Sequence, residues 1–586
     1  MSKSVHSTIL VAVIAGSLSL GCGEDTTQQS TPIESSDGLF TPEIGTHGGS
    51  ITISESSDPK SFNYMIAQET SSTDILKYSF EGLTGTHGVT TEVIPLLAES
   101  WSVADDKATW TFHLRKNVQW FDGMPFTADD VDFTFNRLVF NPQITSSYKD
   151  GLMIEGKEIS VEKIDDYTVR MVTPVPFAPF LSQIGVPIMP KHALESAVES
   201  GKFNETWGIN TPPKDILGTG PFKITEYLAA QKIVLRRNED YWRKDASGNS
   251  LPYLDQISIV VVPNQEVELL KFQAGELDAV SVRGQDYPIL KPKEREQNFT
   301  VLNDGPAFGT SFVAFNQNPG RNGQGKDIVD KKKLGWFTDV AFRRAVAHAL
   351  DKETIINNVM NGLGYPQISA MSPAAVTFYN SDVPTYDYDL DKARQILADA
   401  GYLDQDGDGV VEDKSGNTVE FDLITNAGNS TRENIGLIVQ ADLKKIGIKV
   451  NFAPIDFNAL VTRLTKTYDW EGLLMGLTGG VEPEGGRNVW VTKGSLHFWN
   501  PQQESPATAW EAEIDSLFNV GVQELDPEKR KLIYDRFQHI VAEQLPVIYS
   551  ALPAYVTAVR NTIGNARPTA YARGFHDMAE VYRKDL

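Results

Sequence analysis

The pattern of apolar and polar positions in residues 98–138 predicts a strand, a turn and a capped helix. In residues 110–114 (WTFHL) the apolar side chains occupy every second position, which predicts a strand with one buried face. The pair Asp122-Gly123 follows and indicates a turn, because glycine adopts positive φ angles without a steric penalty. This part of the chain therefore predicts a half-buried strand that leads into a tight turn.

A helix is predicted directly after that turn. Thr127 and Asp130 have the spacing of a capping box, in which two side chains satisfy free amide groups at the start of a helix. Val131, Phe135 and Leu138 then recur at i, i+4 and i+7, which places them on one helical face. The pattern predicts a capped helix whose apolar face packs on the core.

The same two periods predict elements elsewhere in the chain. Residues 49–55 and 167–172 alternate like strands, and strand-like alternation returns at 546–549 and over the last forty residues. Residues 476–501 show neither period, so we expect a loop there. Helical spacing predicts helices over 265–274, 339–355, 388–402 and 431–446, of which the third ends at Gly401 and the last leads into a strand at 447–450.

The first 21 residues have the organisation of a signal peptide. Lys3 provides a positive charge, and residues 9–20 form an apolar run of twelve, too short for the roughly 20 residues that a membrane span needs. Cys22 follows and is the only cysteine in the chain, so no intrachain disulfide can form. We expect residues 1–21 to be removed. Residues 22–44, rich in Ser, Thr, Gln and acidic residues, are expected to form a flexible tether.

The position of Cys22 resembles a lipobox, the signal at which a cysteine is lipidated and becomes the mature N-terminus. Ser19 is a departure, since a lipobox usually has Leu three residues before the cysteine. We interpret Cys22 as a lipid anchor, with ordinary cleavage or a chance cysteine as the alternative. No further hydrophobic run of 18 residues follows, so we expect no transmembrane helix.

Composition narrows the class of protein. With roughly 100–200 residues per domain, a chain of 586 residues is long enough for about three domains. A hydrophobic content of 41% and an aromatic content of 10% are typical of a globular protein. The formal net charge of −24 argues against nucleic acid or an anionic membrane surface as a partner, because both attract basic patches. Acidity also keeps an exported protein soluble.

The sequence contains no recognisable catalytic motif. The G-x-S-x-G, H-E-x-x-H and P-loop patterns are absent, the one cysteine is at the predicted anchor, and the nine histidines include no i, i+4 pair. We therefore predict that the protein is not an enzyme. A secreted hydrolase that uses two of the 77 acidic residues is the alternative.

Several motifs resemble one family, the family 5 (peptide/nickel type) solute-binding proteins of ABC importers. The region of the predicted strand, turn and helix has the family's motifs in order and without a gap: Ala98, Ser100-Trp101, Phe112-His113-Leu114-Arg115, Trp120-Phe121-Asp122-Gly123 and Ala128-Asp129-Asp130-Val131. Further blocks follow at the family's spacing: Gly218-Thr219-Gly220-Pro221-Phe222, Asn238, Tyr241-Trp242 and Gly275-Glu276-Leu277-Asp278. The resemblance covers roughly residues 45–586.

The resemblance implies an α/β fold. It is a two-lobed clamp like that of the type II periplasmic binding proteins, in the large cluster that has an extra domain. On this sequence, lobe I takes residues 45–84, 213–305 and 546–586, the extra domain takes 85–212, and lobe II takes 306–545. The lobes would close over a solute by a hinge motion.

The resemblance also implies a function. We expect an exported, lipid-anchored monomer in the periplasm or at the cell surface. It would capture a short peptide or peptide-like solute and deliver it to the permease subunits of an ABC importer. A different solute, such as an oligosaccharide, an opine or chelated nickel, is the first alternative. A sensor subunit that reports the ligand to a membrane receptor is the second.

One short segment and one arginine are predicted to contact the solute. Glu69, Thr70, Ser71 and Ser72 precede an apolar run, and hydroxyls with free amide groups at a helix start can bind an anionic or carbonyl group. A plain helix cap is the alternative there. Arg432 stands near the position at which peptide-binding members place an arginine for the ligand carboxylate, which a guanidinium binds bidentately. Otherwise it is an ordinary residue of a first helical turn.

The predicted loop at 476–501 is the most unusual stretch of the chain. Peptide-binding members carry there an Asp that pairs with the ligand's α-amino group, and this chain has a Glu with a longer side chain at that place. Aromatic residues in the second half of the loop are expected to wall the pocket, unless they fill a seam between domains. We assign ligand contacts to Thr478, Gly479, Gly480, Glu482, Trp490, His497 and Trp499.

An acidic turn at residues 404–413 has the spacing of a calcium loop. Asp404, Asp406 and Asp408 occupy positions 1, 3 and 5, and a glycine follows at position 6. Position 12 is a serine, so the usual bidentate glutamate is missing, although Glu412 or Asp413 can replace it. We expect either a structural Ca²⁺ or a solvated acidic turn, and no other cofactor.

Overall fold

The computed structural model describes residues 40–586. The predicted signal peptide and Cys22 lie outside the described residues, as does most of the predicted tether. Within residues 40–586, no helix is both long enough and apolar enough to span a membrane. The Phe40 ring packs 4.6 Å from the His576 ring, and the Glu43 amide donates to the Asn565 side chain at 2.9 Å. The last residues of the predicted tether therefore contact the folded body.

One four-stranded sheet combines two distant parts of the chain. Its strands lie in the order Ser50–Glu55, Gln256–Val261, Lys232–Arg237 and Phe222–Leu228, with the first pair parallel and the others antiparallel. The predicted first strand is confirmed. Ile257 and Ile259 are both buried, as alternation along a half-buried strand requires.

A second sheet surrounds the strand Ala551–Arg560. Ala279–Ser281 and Phe299–Pro306 pair with it on its two sides, both antiparallel, and Gly364–Pro366 pairs with its beginning. Its apolar side chains share a core with the helix Gln265–Gln273. The strand predicted near the end of the chain is confirmed.

The third sheet has five strands. They lie in the order Lys449–Ile455, Glu420–Asn426, Gly472–Met475, Phe312–Phe315 and Val547–Tyr549, and the first three are parallel. Successive residues of Phe312–Phe315 point into two different cores, so helices cover the sheet on both faces. Val340–Ala349, Leu390–Ala400 and Ser430–Lys445 cover one face, and Ala509–Gln523 and Pro527–Gln544 cover the other.

A fourth, antiparallel sheet lies in the predicted extra domain. Its order is Ala98–Val103, Thr109–Leu114, Thr168–Val172 and Ser160–Asp165, which confirms the strands predicted at 110–114 and 167–172. Phe112 and Leu114 are buried, whereas the side chain of His113, which lies between them in sequence, is exposed. The predicted turn is confirmed too, because Gly123 has φ +86° and its amide donates to the Trp120 carbonyl at 2.8 Å.

The capping box is confirmed at the start of the helix Ala128–Asp132. The Thr127 side chain accepts from an amide of the first turn, and the Asp130 carboxylate accepts from the Thr127 amide at 3.0 Å. The helix continues as a π-helix over Phe133–Val139. The three residues of the predicted apolar face, Val131, Phe135 and Leu138, are all buried.

Three of the four longer predicted helices are confirmed. Gln265–Gln273, Leu390–Ala400 and Ser430–Lys445 are single helices, and Gly401 follows the second with φ +93°. Further helices of more than one turn are Thr70–Leu76, Lys191–Glu199, Lys331–Thr338 and Phe457–Thr462.

The single helix predicted over residues 339–355 is wrong. The helix Val340–Ala349 is followed by Leu350, which is not helical. A new helix begins after Asp351, whose carboxylate caps it by accepting from the Thr354 amide at 2.8 Å. Lys352–Thr354 then continues as the π-helix Ile355–Val359. An aspartate inside an apolar helical pattern thus acts as a cap and divides it.

Two short connections join strands of the second sheet to strands of the third. Residues 307–311 join Phe299–Pro306 to Phe312–Phe315, and Ser550 joins Val547–Tyr549 to Ala551–Arg560. The two connections touch, since the Ser550 amide donates to the Ser311 carbonyl at 2.9 Å. Val547–Tyr549 lies in the third sheet although the predicted range 546–586 places it in lobe I; the domain ranges stay a prediction.

Candidate functional site

The predicted lobes I and II meet at loops that follow the carboxyl ends of several of their strands. Just after the first strand of lobe I, the Ser57 hydroxyl accepts from the Asn458 side chain of lobe II at 3.1 Å. In the loop that follows Glu420–Asn426, the Gly428 carbonyl accepts from the Gln265 amide of lobe I at 3.2 Å. Open α/β sheets bind ligands at the carboxyl ends of their strands. We therefore expect a ligand at this boundary.

A cavity of about 410 Å³ lies where lobe I meets the extra domain. Its walls include Tyr64, Lys77, Glu81, Tyr148 and Tyr571. Small-molecule sites typically have volumes of about 300–1,000 Å³, with apolar walls and a few polar groups. The cavity is therefore large enough to hold part of a solute.

The glycine-rich loop of lobe II lies close to this cavity. The Phe308 ring packs at 5.4 Å, edge to face, against the ring of the wall residue Tyr571. A side chain at Gly479 would come within 1.7 Å of the Phe308 carbonyl oxygen, so this close approach requires glycine. Thr478 and Gly479 are exposed, and Gly480 is partly exposed. The structure thus brings Gly479 close to Phe308, which packs on a wall residue of the cavity.

Arg432 lies in the first turn of Ser430–Lys445 and forms no ion pair with any residue in the described part of the chain. Its guanidinium donates to the Asn426 side chain at 2.8 Å, and its Nη2 would lie 3.0 Å from a side chain at Gly476. Burial lowers the pKa of Arg432 to about 10, because no neighbouring charge compensates the desolvated cation. An unpaired guanidinium beside the lobe boundary suits a carboxylate that a ligand brings.

Local hydrogen bonds occupy much of the predicted segment 69–72. The Ser72 hydroxyl donates to the Glu69 carboxylate and accepts from the Lys60 amide at 2.9 Å. Ser71 and Ser72 are fully buried, whereas Glu69 and Thr70 are partly exposed. Any solute contact from this segment therefore falls to Glu69 and Thr70.

Glu482 is already paired in this structure. Its carboxylate forms an ion pair with Arg530, whose guanidinium also packs 4.8 Å above the Phe378 ring. Glu484, two residues further on, is buried and pairs with Arg487. Burial raises the pKa of both carboxyls, that of Glu484 to about 7, although the arginines oppose the shift. A cation of the protein thus occupies the carboxylate that we expected to bind a ligand ammonium.

His497 and Trp499 are core residues and not the pocket walls that we expected. Each is 1% exposed, and their rings lie 4.1 Å apart in the core behind the third sheet. Trp490 packs against Trp499 and Phe537 at 5.6 and 5.2 Å and is partly exposed. The loop at 476–501 also contains the short helix Arg487–Trp490, which its pattern did not predict. His497 and Trp499 therefore fill the protein interior, and Trp490 packs on Trp499 from a partly exposed position.

The acidic turn brings together a slightly different set of residues from the predicted one. Carboxylate oxygens of Asp404, Asp406 and the buried Glu412 all lie within 4.8 Å of one another. Asp408 is outside this group, and its carboxylate accepts from the Val410 amide at 2.7 Å. Clustered carboxylate oxygens are ligands that Ca²⁺ prefers. Calcium binding stays a prediction, with Glu412 in place of Asp408 as the third acidic group.

Glu81 is a cavity residue that the sequence patterns did not single out. Its buried carboxylate accepts from the Tyr241 hydroxyl at 2.8 Å, the Trp242 indole at 3.1 Å and the Thr219 hydroxyl at 3.0 Å. Burial nevertheless raises the pKa of Glu81 to about 7. The signal was present in part, because Thr219, Tyr241 and Trp242 lie in the motif blocks that the sequence did identify.

Comparisons with known proteins agree with this architecture. A family model described as bacterial extracellular solute-binding proteins, family 5 Middle, matches residues 92–494. A probable ABC transporter-binding protein of Deinococcus radiodurans is 30% identical over 529 residues, which cover 86% of this chain and 87% of the relative.

Two solved structures show the same fold. The oligopeptide-binding protein AppA from Bacillus subtilis, in complex with a nonapeptide, matches with a TM-score of 0.78 at 26% identity, covering 92% of this chain and 99% of that one. The periplasmic binding protein MelB of Agrobacterium fabrum C58, in complex with stachyose, matches with a TM-score of 0.80 at 21% identity, covering 92% and 86%. The predicted two-lobed α/β fold is confirmed. Since one fold holds a peptide in one protein and a sugar in another, the side chains of the site decide the solute.

Proposed function

The chain belongs to family 5 of the bacterial extracellular solute-binding proteins, and on this premise we propose that it captures a short peptide or peptide-like solute between its lobes. It then delivers the solute to an ABC importer. Relatives include a protein crystallised with a nonapeptide, which supports this solute class. The observation that carries the proposal is the unpaired Arg432 guanidinium at the boundary between the lobes.

Arg432 binds the solute's carboxylate in this proposal. Burying a cation without a counter-ion is unfavourable, and the lowered pKa of Arg432 reflects that cost. The terminal carboxylate of a peptide matches the two parallel donors of a guanidinium and restores the missing charge. The Asn426 side chain, which accepts from Nη1 at 2.8 Å, holds the guanidinium in place.

Residues 478–480 bind the main chain of the solute. They are exposed or partly exposed, and two of the three lack side chains, so their amide groups are accessible to an extended peptide. Glu69 and Thr70 face the solute from lobe I. Because such contacts read peptide groups and not side chains, this arrangement favours short peptides of varied sequence.

Lobe closure follows from the two short connections. Residues 307–311 and Ser550 are short connections between strands of the second sheet and strands of the third, so a small change in backbone angles there rotates one lobe against the other. The contacts of Ser57 with Asn458 and of Gln265 with Gly428 join the lobes at the site. A solute that contacts both lobes stabilises the closed form, which the importer's permease subunits recognise.

The anchor belongs to the same proposal. Cys22 carries the lipid that holds the protein at the outer face of a membrane, and residues 23–39 link it to the folded body, where Phe40 packs on His576. The protein acts as a monomer beside the permease. Calcium bound by Asp404, Asp406 and Glu412 would stabilise lobe II without touching the solute.

An oligosaccharide is a weaker candidate for this chain. Sugars stack on exposed aromatic faces, and two of the three aromatic residues expected to provide such faces, His497 and Trp499, are each 1% exposed, which leaves only Trp490 partly exposed. The likeness to the stachyose-binding protein concerns the fold alone.

Native mass spectrometry tests the proposal. The purified protein is incubated with an equimolar mixture of di- to pentapeptides, with stachyose and with a nickel–histidine complex, and any retained ligand is identified by its mass. Retained ligands are then titrated while the unfolding temperature is followed. A ligand that binds only the folded chain stabilises it by about 2.7 kcal/mol at 100 times its Kd.

The proposal predicts that peptides are retained and raise the unfolding temperature, whereas the sugar and the nickel complex do not. Arg432→Gln should lose most of the peptide-induced shift. The matched control Arg170→Gln, which removes an exposed guanidinium paired with Glu162 in the extra domain, should keep it. A shift with the sugar or the nickel complex and none with any peptide would show that the solute class is wrong.

A further inference from the structure

Glu55 is a second ionisable group at the lobe boundary without a charged partner. It is the last residue of the strand Ser50–Glu55, and its carboxylate accepts only from the amide and the hydroxyl of Ser56, at 3.0 and 3.4 Å, among residues 40–586. None of the ion pairs in this part of the chain includes it. The side chain is partly exposed.

The cations nearest to Glu55 are already engaged. Asp74 accepts from Lys77 at 3.3 Å and from Arg573 at 2.6 Å, and Lys77 also donates to the Ala572 carbonyl at 3.2 Å. Glu268 adds a negative charge from the helix Gln265–Gln273, and its own carboxylate accepts from the Ser54 hydroxyl. No cation among residues 40–586 therefore forms an ion pair with Glu55.

This environment keeps Glu55 protonated near neutral pH. Burial, and then repulsion from Asp74, raises the pKa of Glu55 to about 8, while Lys77 opposes the shift and Glu268 adds to it. Tyr78 and Arg573 also interact electrostatically with Glu55. An arriving cation would reverse the balance, because a positive neighbour stabilises the carboxylate.

Glu55 lies on the opposite side of the lobe boundary from Arg432. The Val262 amide donates to the Glu55 carbonyl at 2.8 Å, and the next residue, Pro263, lies against Gly428, where a side chain would come within 2.0 Å of the Pro263 carbonyl oxygen. Gly428 precedes the helix that carries Arg432. Lys77, a neighbour of Glu55, also lines the 410 Å³ cavity.

The carboxylates of the lobe II loop do not compete for this role. Glu482 pairs with Arg530 and Glu484 pairs with Arg487, so each already has a cation. Glu55, in the same region, has no ion-pair partner among residues 40–586.

We propose that the Glu55 carboxylate binds a cationic group of the solute, an ammonium in the case of a peptide. The inference rests on the proposed function and extends it: the solute is a zwitterion, with its positive end on Glu55 of lobe I and its carboxylate on Arg432 of lobe II. Each lobe then carries one charge that only the bound solute compensates. Binding at pH 7 should release a proton from Glu55 to the buffer, because the ion pair favours the ionised carboxylate.

Isothermal titration calorimetry of the purified protein tests this. Trialanine with a free amino terminus is titrated at pH 7 in buffers of different ionisation enthalpy, which reports the number of protons released; if trialanine is not retained in the peptide screen, the shortest retained peptide replaces it. Wild type should release nearly one proton per complex. Glu55→Gln should release none and bind at least about thirty-fold more weakly, which corresponds to about 2 kcal/mol for removing one partner of a buried charge pair.

Two controls keep the outcome interpretable. Glu158→Gln removes an exposed carboxylate of the extra domain and should match wild type. The N-acetylated form of the same peptide is titrated into wild type. It should bind more weakly than the free peptide by a similar factor and release no proton. This control uses only the wild-type protein, so it does not depend on whether a variant folds. Unchanged affinity and proton release in Glu55→Gln overturn the inference and leave the proposed function standing. Failure of wild type to bind any peptide overturns both.

Discussion

The hydroxyl oxygens of Ser311 and Ser550 lie 2.8 Å apart, where two short connections between the second and third sheets meet. The backbone adds a second link, from the Ser550 amide to the Ser311 carbonyl at 2.9 Å, and the Ser311 amide donates to the Gln367 side chain at 2.9 Å. Ser550 is fully buried and Ser311 nearly so. These bonds join the two connections at the place where we propose the hinge.

We predict that Ser311→Ala and Ser550→Ala each lower the free energy of unfolding by about 1–3 kcal/mol, because each leaves the other buried hydroxyl without its partner. The double variant should lose less than the sum, with a coupling energy of about 0.5–1.5 kcal/mol. Urea unfolding of the four proteins measures this. Additive effects would show that the hydroxyl pair is not a stabilising contact, and Ser102→Ala, an exposed serine, serves as the control.

Arg432→Gln should separate stability from binding. Removing an unpaired buried cation should raise the unfolding temperature of the unliganded protein, since the lowered pKa shows that the charged form is disfavoured in the fold. The variant should also bind a peptide and its C-terminal amide equally, whereas wild type should prefer the free carboxylate by at least about thirty-fold. Titration of both peptides measures the preference. A preference that persists in Arg432→Gln would assign the carboxylate to another group.

The ion pair of Glu482 with Arg530 should be structural. Arg530→Ala leaves a mostly buried carboxylate without its cation, so we expect a loss of at least about 2 kcal/mol of unfolding free energy. The exposed pair of Arg536 with Glu513 is the matched control on the same helix, and Arg536→Ala should cost less than about 1 kcal/mol. Equal losses of unfolding free energy in the two variants would mean that the buried Glu482–Arg530 pair contributes no more to stability than the exposed Glu513–Arg536 pair.

Glu81 should make stability depend on pH. Its pKa is about 7 in the fold, raised by burial from 4.5, so the folded state binds more protons than the unfolded state between these values. Its contribution is fully present below about pH 4.5 and is lost as pH rises through 7, with a slope of at most about 1.4 kcal/mol per pH unit.

The test compares wild type with Glu81→Gln by calorimetry from pH 5 to pH 8. The stability advantage of wild type over the variant should shrink as pH rises, whereas Glu158→Gln, an exposed site, should follow wild type throughout. A constant difference between wild type and Glu81→Gln across this range would contradict the raised pKa.

The elements that depend on local pattern were predictable from sequence. The strand Thr109–Leu114 and the capping box at Thr127 both follow from residues close together in the chain, and both are confirmed. The helix over 339–355 was not, because the apolar period continues through Leu350 while the Asp351 side chain forms a local cap. A periodic pattern alone does not show that a side chain will cap a new helix and interrupt the one that the pattern predicts.

The chemistry of the site was less predictable because it depends on contacts between distant residues. Glu482 lies 48 positions from Arg530 in the sequence, so nothing local indicated that its carboxylate is paired. Trp499 looks like a loop residue by its glycine-rich surroundings, yet it is 1% exposed in a core. Glu55 appeared only as the end of a strand. Its lack of a cation depends on how Asp74 shares Lys77 and Arg573.

A crystal structure of the protein with the peptide that it retains most tightly tests the account most directly. The account predicts the peptide between the lobes, with its carboxylate within about 3 Å of the Arg432 guanidinium and its ammonium at the same distance from Glu55. A peptide bound elsewhere, or one that leaves both side chains unpaired as they are in the unliganded chain, would contradict it.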